Sequence, residues 1–250
     1  MCDFLKVLNY FKAGIKNPLA SIYYIFYGGK KLKEFGIAKY LRVNISEVHR
    51  YYKEIEQNTN FKNYISNSLS CTYYGEIQGG RELYVMVRIV KPKIVVETGV
   101  AAGVSTSFIL KALYNNNKGM LYSIDMPNYE LEYFPELGLK PVAILPPGEK
   151  PGFIVPDEFR KRWILKIGKS NKILPKLLKK IGKVNVFLHD SEHTYKNMMF
   201  EYSTVWPYLS KGGLLLSHDI NWNSAFQDFS RKVKYKTCKL YYISLGLIIK

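Results

Sequence analysis

The sequence predicts an α/β protein: a Rossmann-like, mostly parallel sheet of about seven strands, helices on both faces, and an N-terminal helical extension. Three observations support this prediction. Short apolar runs alternate with amphipathic segments from about residue 80 onward, polar residues follow several of these runs, and 47% of the residues are hydrophobic, which suffices for one buried core. A repeated strand–helix–strand pattern favours parallel strands. Each crossover helix returns the chain to the end of the sheet at which the previous strand began, so the next strand runs in the same direction.

The strands are predicted from short runs rich in β-branched and aliphatic residues. In chain order they are IVVET (94–98), MLYSID (120–125), WILKIG (163–168), VNVFLHD (184–190) and GGLLLSHD (212–219), and KLYYISLGLIIK (239–250) adds two extended segments around Gly246. Helices are predicted between them at VSTSFILKALYN (104–115), NKILPKLLKKIG (171–182) and KNMMFEYSTVWPYL (196–209). Pro175 is expected near the first turn of the second helix, where its missing N–H costs least.

Residues 1–70 are predicted to form the helical extension, and residues 71–250 the α/β domain. The segment SEVHRYYKEIEQ (46–57) predicts a helix with Ser46 as its N-cap, and the Asn-rich segment 57–68 predicts a loop. The apolar segment PLASIYYIFYG (18–28) is too short to span a bilayer. Packing onto the main domain is the favoured interpretation, and peripheral membrane contact is the alternative.

The chain is strongly basic, with 37 Lys and Arg against 20 Asp and Glu and a net charge of +17. This charge is compatible with an anionic partner such as nucleic acid, acidic lipid or a phosphorylated substrate, but an ordinary lysine-rich solvated surface is the favoured explanation. Cys2, Cys71 and Cys238 form no CxxC pair, which argues against a zinc knuckle or a disulfide framework. The N-terminus carries no secretory signal, so a cytoplasmic protein is expected. Oligomerisation stays open.

Polar residues follow the predicted strands where each of them ends. They are Glu97, Asp125, the pair His189–Asp190 and the pair His218–Asp219. Ligands of parallel sheets bind outside the carboxyl ends of the strands, so these side chains are expected to line one cleft.

The segment ETGVAAGVSTS (97–107) combines a strand end, a glycine turn and a helix start. Gly99 allows a sharp turn and the approach of a ligand, and Gly103 allows close packing. The GxxxG spacing differs from the GxGxxG of dinucleotide-binding proteins, and no GK[ST] follows, so a phosphate-binding P-loop is not indicated. Asp125 can accept hydrogen bonds from ribose hydroxyls, although a tight turn with a capping Asp would give the same pattern.

Three segments together resemble the class I S-adenosylmethionine-dependent methyltransferases: VVETGVAAGVSTSFIL, LYSIDMP and VFLHDSEHTYKNMMFEYSTVWPYLSKGGLLLSHDI. The closer similarity is to the subgroup that includes macrolide-sugar O-methyltransferases and cephalosporin-biosynthesis proteins, and it covers about residues 75–250. The resemblance implies S-adenosylmethionine as the cofactor. It implies contacts from the glycine turn and the strand ends, namely Glu97, Gly99, Val100, Ala101, Gly103, Ser105, Asp125, Ser170 and Asp190.

One position departs from the pattern of the family. In many relatives an acidic residue after the third strand meets the adenine amino group, but here IGKS places Lys169 there. The adenine contact would then fall to Ser170 or to the backbone.

Methyl transfer to a hydroxyl requires a positioned acceptor and removal of its proton, because a neutral hydroxyl is a poor nucleophile. The resembling sugar methyltransferases have a histidine base at the position of His193, so His193 and Asp190 are predicted as the catalytic residues. The alternative for His193 is a surface histidine at a helix start. His189 ranks lower because it could face the other side of the sheet, and Glu192 is interpreted as structural.

Asp190, His218 and Asp219 are predicted to hold a divalent cation, Mg²⁺ or Mn²⁺. The resembling metal-dependent enzymes usually have three oxygen ligands at these positions, so His218 is a departure. A nitrogen ligand shifts the preference from Mg²⁺ toward Mn²⁺, Fe²⁺, Co²⁺ or Zn²⁺. A metal-free site, or residues that merely cap helices, is the alternative.

The sequence therefore predicts an S-adenosylmethionine-dependent O-methyltransferase that acts on a hydroxyl of a small molecule or a glycan. An RNA methyltransferase is a less favoured alternative, because no appended RNA-binding module is recognisable. A non-catalytic protein that binds a nucleoside cofactor or an anionic partner is the other. The loop at residues 126–157 is predicted to close over the acceptor.

Overall fold

The computed structural model describes residues 33–69, 79–127, 145–146, 148–235, 237–240 and 244–250. The segment 18–28, for which membrane contact was one prediction, lies outside these residues, as do Cys2, Cys71 and most of the loop predicted to close over the acceptor. Within the described ranges, every helix is too short or too polar to cross a membrane.

One sheet forms the centre of the described structure. Its strands are β1 (Ile94–Thr98), β2 (Met120–Asp125), β3 (Trp163–Ile167), β4 (Val184–His189), β5 (Leu209–Ser217), β6 (Thr237–Leu240) and β7 (Leu245–Ile249). Their order is β3-β2-β1-β4-β5-β7-β6. Strands β1 to β5 are parallel, whereas β7 is antiparallel to both of its neighbours, β5 and β6. The predicted Rossmann-like, mostly parallel sheet is confirmed.

Helices cover both faces of this sheet. They are α1 (residues 33–41), α2 (Ile45–Gln57), α3 (Thr59–Leu69), α4 (Gly80–Val90), α5 (Val104–Asn115), α6 (Asp157–Arg160), α7 (Ser170–Ile181), α8 (Tyr195–Val205) and α9 (Ala225–Val233). Side chains alternate along the strands and so contribute to two cores. Val95 and Leu121 pack with α2, α4 and α5, whereas Val96 and Ile124 pack with α7, α8 and α9.

Two predictions for the N-terminal region are wrong. Helix α2 begins one residue before Ser46, and its N-cap is Asn44, whose Oδ1 accepts a hydrogen bond from the Ser46 N–H at 2.9 Å. The Asn-rich segment 57–68 is mostly helix α3 rather than a loop. Phe61 and Ile65 lie one turn apart in α3, and both are buried in the core, which outweighs the low helix propensity of the surrounding asparagines.

The N-terminal helices are joined to the sheet domain by a partly buried polar network centred on Glu54 of α2. Its carboxylate accepts hydrogen bonds from the Tyr84 hydroxyl, from Arg88 Nη2 at 3.0 Å and from Asn115 Nδ2 at 2.7 Å. Helices α2, α4 and α5 therefore meet through one shared carboxylate. The domain boundary at residue 70 stays a prediction, since residues 70–78 lie outside the described chain.

Three smaller predictions need correction. Pro175 lies in the second turn of α7, not the first. Strand β5 begins at Leu209, before the predicted start at residue 212. Gly246 does not separate the last two strands: it lies inside β7, opposite Ser217, where a Cβ would come within 2.5 Å of the Phe226 ring.

Candidate active site

The turn between β1 and α5 is fixed by the carboxylate of Asp125, which ends β2. Its Oδ2 accepts hydrogen bonds from the backbone N–H groups of Val100 at 2.6 Å and Ala101 at 3.0 Å. Burial raises the pKa of Asp125, and the two backbone hydrogen bonds act in the opposite direction. The predicted ribose acceptor and the predicted methionine-binding turn are thus in direct contact.

Both glycines of this turn have positive φ values, +85° at Gly99 and +103° at Gly103. A Cβ on Gly103 would lie 2.7 Å from the Cα of Gly152, so this residue permits close packing, as predicted. A Cβ on Gly99 would lie only 1.9 Å from the carbonyl oxygen of Asp190. In this structure the close neighbour of Gly99 is therefore the backbone at the end of β4.

Glu97 is fully buried, and its carboxylate is held by three hydroxyl groups. Ser105 Oγ donates to Oε1 at 2.7 Å, while Thr106 Oγ1 at 2.7 Å and Ser123 Oγ at 2.8 Å donate to Oε2. Burial raises the pKa of Glu97 to about 7, against the effect of these hydrogen bonds. Glu97 and Ser105, both predicted as cofactor contacts, are thus bonded to each other and fasten the start of α5 to the sheet.

Asp190, His193 and Asp219 converge just beyond the ends of β4 and β5. His193 Nε2 lies 3.8 Å from Asp190 Oδ1 and 3.6 Å from Asp219 Oδ2. One ligand atom from each of the three residues lies within 4.8 Å of the others. The predicted base and two of the three predicted metal ligands are therefore neighbours.

The electrostatics of this group fit a divalent cation. Burial, reinforced by the Asp219 carboxylate, raises the pKa of Asp190 to about 8, because two close negative charges repel each other. Burial also lowers the pKa of His193 well below its usual value, which keeps the imidazole neutral. Its Nε2 is buried and makes no hydrogen bond to any described residue. A neutral imidazole and two close carboxylates are ligand groups that suit a divalent cation, and a bound cation would relieve the repulsion between the carboxylates.

His218 is not part of this group of ligand atoms, although it was predicted as the third ligand. Asp219 adopts a left-handed φ of +51°, so the chain turns sharply directly after His218. Burial lowers the pKa of His218, while the carboxylates of Asp219 and Glu82 act against that shift. Among the described residues, His193 occupies the place beside the two carboxylates that the sequence assigned to His218.

Residues 96–220 match the model of a family described as a methyltransferase domain. This match covers half of the chain, and it includes the glycine turn, Asp125 and the group formed by Asp190, His193 and Asp219. The chain is a class I S-adenosylmethionine-dependent methyltransferase.

Solved structures share the fold of this methyltransferase at low sequence identity. A methyltransferase from Geobacter sulfurreducens is 16% identical, with a TM-score of 0.52, over 70% of this chain and 80% of that one. CalS11, a calicheamicin methyltransferase, is 15% identical, with a TM-score of 0.51, over 82% and 91%. A Staphylococcus aureus protein assigned as a caffeoyl-CoA O-methyltransferase is 12% identical, with a TM-score of 0.54, over 83% and 100%. Among curated protein sequences, none is significantly similar to the chain.

Sequence reasoning missed Glu201 of α8, a fully buried acid that joins three parts of the methyltransferase site. Its carboxylate accepts hydrogen bonds from Thr98 Oγ1 at 2.6 Å and Ser191 Oγ at 2.8 Å, and it pairs with His189 Nδ1 at 2.6 Å. Burial acts to raise the pKa of Glu201, but the interaction with His189 and hydrogen bonds from Ser170 and Thr98 lower this pKa overall. An acid on the otherwise apolar stripe of α8 was the signal available in the sequence.

His189 lies inside the site, although it was ranked below His193. Its ring contacts the His193 ring edge to face, with 5.1 Å between the ring centroids. The Trp222 ring also packs against His193, with 5.0 Å between the ring centroids. Two aromatic rings therefore contact His193, and through His189 the Glu201 carboxylate acts on the position of His193.

The expected adenine side of the methyltransferase site lies at the ends of β2 and β3. Met126 and Ile167 are each 56% exposed there, next to Asp125. Ser170 begins α7, and its Oγ is 3.4 Å from Asn197 Oδ1. Lys169, which replaces the acid of many relatives, is the exposed N-cap residue of α7.

The C-terminal part of the predicted lid is packed into the protein. Gly152 N–H donates to the Ala101 carbonyl at 2.8 Å, and Ile154 N–H donates to the Ala102 carbonyl at 3.2 Å. Ile154 and Val155 are buried. This part of the segment supports the glycine turn, and residues 128–144, the middle of the predicted lid, lie outside the described chain.

Proposed function

We propose that this methyltransferase transfers the methyl group of S-adenosylmethionine to a hydroxyl of a small molecule or a glycan. The observation that carries the proposal is the group formed by His193, Asp190 and Asp219, which lies at the strand ends that receive ligands in parallel sheets. A neutral imidazole beside carboxylates suits deprotonation of a hydroxyl. The assignment of one structural neighbour as an O-methyltransferase is consistent with this choice of acceptor.

The cofactor is proposed to bind across the glycine turn. Asp125 would accept hydrogen bonds from the ribose hydroxyls, since a carboxylate oxygen can accept more than one donor. The exposed side chains of Met126 and Ile167 offer an apolar surface on which the adenine ring could lie. Gly99 and the turn from Val100 to Gly103 would hold the methionine part near Asp190.

His193 is proposed as the general base. Its lowered pKa keeps the imidazole neutral at neutral pH, so its unprotonated ring nitrogen can take the proton of the acceptor hydroxyl. S-adenosylmethionine, when bound, would supply the methyl group: the acceptor oxygen would bond the methyl carbon as the carbon–sulfur bond breaks, leaving a neutral thioether. Asp190 and Asp219, both within 4 Å of Nε2, would stabilise the imidazolium that this transfer creates.

A divalent cation would be held by Asp190 and Asp219. When bound, such a cation lowers the pKa of a coordinated hydroxyl. His193 Nε2 could complete its ligand set, but the same nitrogen cannot ligate and accept a proton at once. We assign it the role of base, so Asp190 and Asp219 would be the protein ligands of the cation.

Cofactor binding is tested by titrating S-adenosylmethionine into the protein and its Asp125→Ala variant by calorimetry. We expect the variant to bind about 100-fold more weakly or not at all, because it loses charge-assisted hydrogen bonds to ribose and the anchor of the turn. Asp157→Ala is the matched control, since the side chain of Asp157 is 98% exposed and lies away from the turn. Equal affinities in Asp125→Ala and the parent protein would refute the assignment of Asp125.

Cation binding is tested by titrating Mn²⁺ followed by electron paramagnetic resonance. Asp190→Asn and Asp219→Asn are each expected to weaken binding at least about tenfold, because each removes a negatively charged ligand. Asp228→Asn, on α9, serves as the control. If His193→Gln weakens binding as much as the Asp variants do, His193 is a ligand, and its assignment as the base is wrong.

A further inference from the structure

One segment of the chain is basic without interruption. Residues 159–189 contain ten Lys and Arg residues and no Asp or Glu. This segment covers β3, α7 and β4, and so forms one edge and part of one face of the sheet. Its cationic residues are Arg160, Lys161, Arg162, Lys166, Lys169, Lys172, Lys176, Lys179, Lys180 and Lys183.

Helix α7 separates its charges from its apolar side chains. Leu174, Leu177 and Leu178 are buried against the sheet. Lysines at positions 172, 176, 179 and 180 are exposed, and their spacing of three to four residues places them on the opposite face of the helix. The outward surface of α7 is therefore a stripe of ammonium groups.

The edge strand β3 extends this stripe. Ile164 is paired with Tyr122, and Tyr122 packs into the core on the α7 side of the sheet. Ile164 and, two residues on, Lys166 therefore project to the same side as α7, and both are exposed. We define the lysine face as Lys166, Lys169, Lys172, Lys176, Lys179, Lys180 and Lys183.

The lysine face is not neutralised within the described part of the chain, where none of its seven ammonium groups pairs with a carboxylate. Next to α7, on α8 and the turn before it, Glu201 is buried against His189, and Glu192 is exposed in the turn. The two arginines nearest the face are already engaged: Arg160 pairs with Asp157, and Arg162 bonds Asn117 and the Gly119 carbonyl.

We propose that the lysine face docks this methyltransferase on an anionic lipid bilayer. Ammonium groups on flexible stems suit the diffuse negative potential of acidic head groups. The exposed large apolar side chain that β3 adds on this side is aliphatic, Ile164 at 37%. Proteins that hold single-stranded nucleic acid use aromatic side chains as stacking platforms, and the one aromatic of β3, Trp163, donates its indole N–H inward to Ser123.

The attachment is electrostatic rather than inserted. The apolar side of α7 is used in the core, so this helix has no apolar face left to enter the acyl chains. Binding therefore depends on anionic lipid and falls as salt screens the ammonium groups. Lys169 directly precedes Ser170 at the start of α7, so the docked face borders the cofactor side of the site. This places the cleft close to acceptors carried at a membrane surface.

The test is flotation of the full-length protein with lipid vesicles. Vesicles of phosphatidylcholine and phosphatidylglycerol at about three to one are compared with vesicles of phosphatidylcholine alone. We expect binding to the first only, and at least about a tenfold loss of binding in the triple variant Lys172→Gln, Lys176→Gln, Lys179→Gln, since each lysine near the surface contributes to attraction. The matched control is Lys39→Gln, Lys53→Gln, Lys232→Gln, which removes the same charge from exposed positions elsewhere.

Every outcome decides the proposal. Selective loss in the α7 triple supports it. Equal binding by the two triples overturns it, because any attraction then comes from the net charge of +17 or from another region. Absence of vesicle binding, together with salt-dependent binding of single-stranded RNA, overturns it in favour of a nucleic-acid partner. S-adenosylmethionine affinity measured on the same variants separates this result from the proposed enzymatic function.

Discussion

At the scale of single residues, the two acids of the first strand pair show how burial decides what a carboxylate does. Glu97 and Asp125 both end strands, and both were predicted to touch the cofactor. Glu97 is enclosed by three hydroxyls, whereas Asp125 bonds the backbone of the turn. Glu97 therefore acts on the cofactor site indirectly, because it holds the start of α5 against the sheet.

Glu97 should make the stability of the protein depend on pH. Its folded pKa of about 7 lies above its ordinary value of 4.5, so the folded state binds the proton more tightly than the unfolded state. The free energy of unfolding should fall as pH rises from about 4.5 to about 7 and then level off, by an amount on the order of 3 kcal/mol from this group. Glu97→Gln cannot ionise and should reduce this slope, as measured by urea unfolding at several pH values.

Asp190 supplies a control within the same experiment. Its pKa is also raised, to about 8, so some pH dependence should persist in Glu97→Gln and extend to higher pH. If the pH profiles of Glu97→Gln and the parent protein coincide, Glu97 does not carry the buried proton assigned to it.

The sequence could place Asp190, His193 and Asp219 at one edge of the sheet, because parallel strands end there together. It could not decide between His193 and His218 as the partner of the carboxylates. The chain turns through a left-handed residue at Asp219, directly after His218, and this backbone conformation of a non-glycine residue is not evident from the sequence pattern. Glu201 was missed because its partners come from β1, β4 and the following turn, none of them adjacent in sequence.

At the scale of elements, strands β1, β2 and β4 and helix α5 were predicted within one residue of their bounds. Their apolar and β-branched runs agree with their burial on both faces. Prediction failed where local signals conflicted. Two asparagines, Asn44 and Asn58, cap the starts of α2 and α3, but in the sequence they stand among other polar residues that could have capped equally well.

Substitutions at Asn44 and Ser46 test directly which of the two residues caps α2. Asn44→Ala should lower the free energy of unfolding by about 1 kcal/mol, since it leaves the first-turn N–H of Ser46 without its acceptor. Ser46→Ala should cost only a few tenths of a kcal/mol, since it removes only a side-chain contact in an exposed first turn. Thermal unfolding of both variants measures the difference, and a larger effect at Ser46 would restore it as the cap.

At the scale of the whole molecule, the N-terminal helices and the sheet share one core. Ile37, Val48 and Ile55 belong to the same buried cluster as Leu83 and Phe108. The sequence predicted an N-terminal helical extension to the α/β domain, but it could not show which faces of these helices meet the sheet domain. The described helices of this extension contribute to the same core as α4 and α5.

This shared core predicts a single cooperative unfolding transition. Ile55→Ala should destabilise the protein by about 2 to 5 kcal/mol, because Ile55 is completely buried. It should shift the transition of the sheet domain equally, followed by tryptophan fluorescence for the sheet and circular dichroism for the helices. Two separate transitions, with only the helical one shifted, would show that the N-terminal helices fold independently.

The contact between Gly99 and the peptide of Asp190 has a thermodynamic consequence. A ligand that moves the glycine turn must also move the backbone that carries Asp190, because there is no room between them for even a methyl group. We therefore expect binding of the nucleoside cofactor to affect binding of the proposed cation at Asp190, and the reverse. By reciprocity, the factor by which Mn²⁺ changes the dissociation constant of S-adenosylmethionine must equal the factor by which S-adenosylmethionine changes that of Mn²⁺.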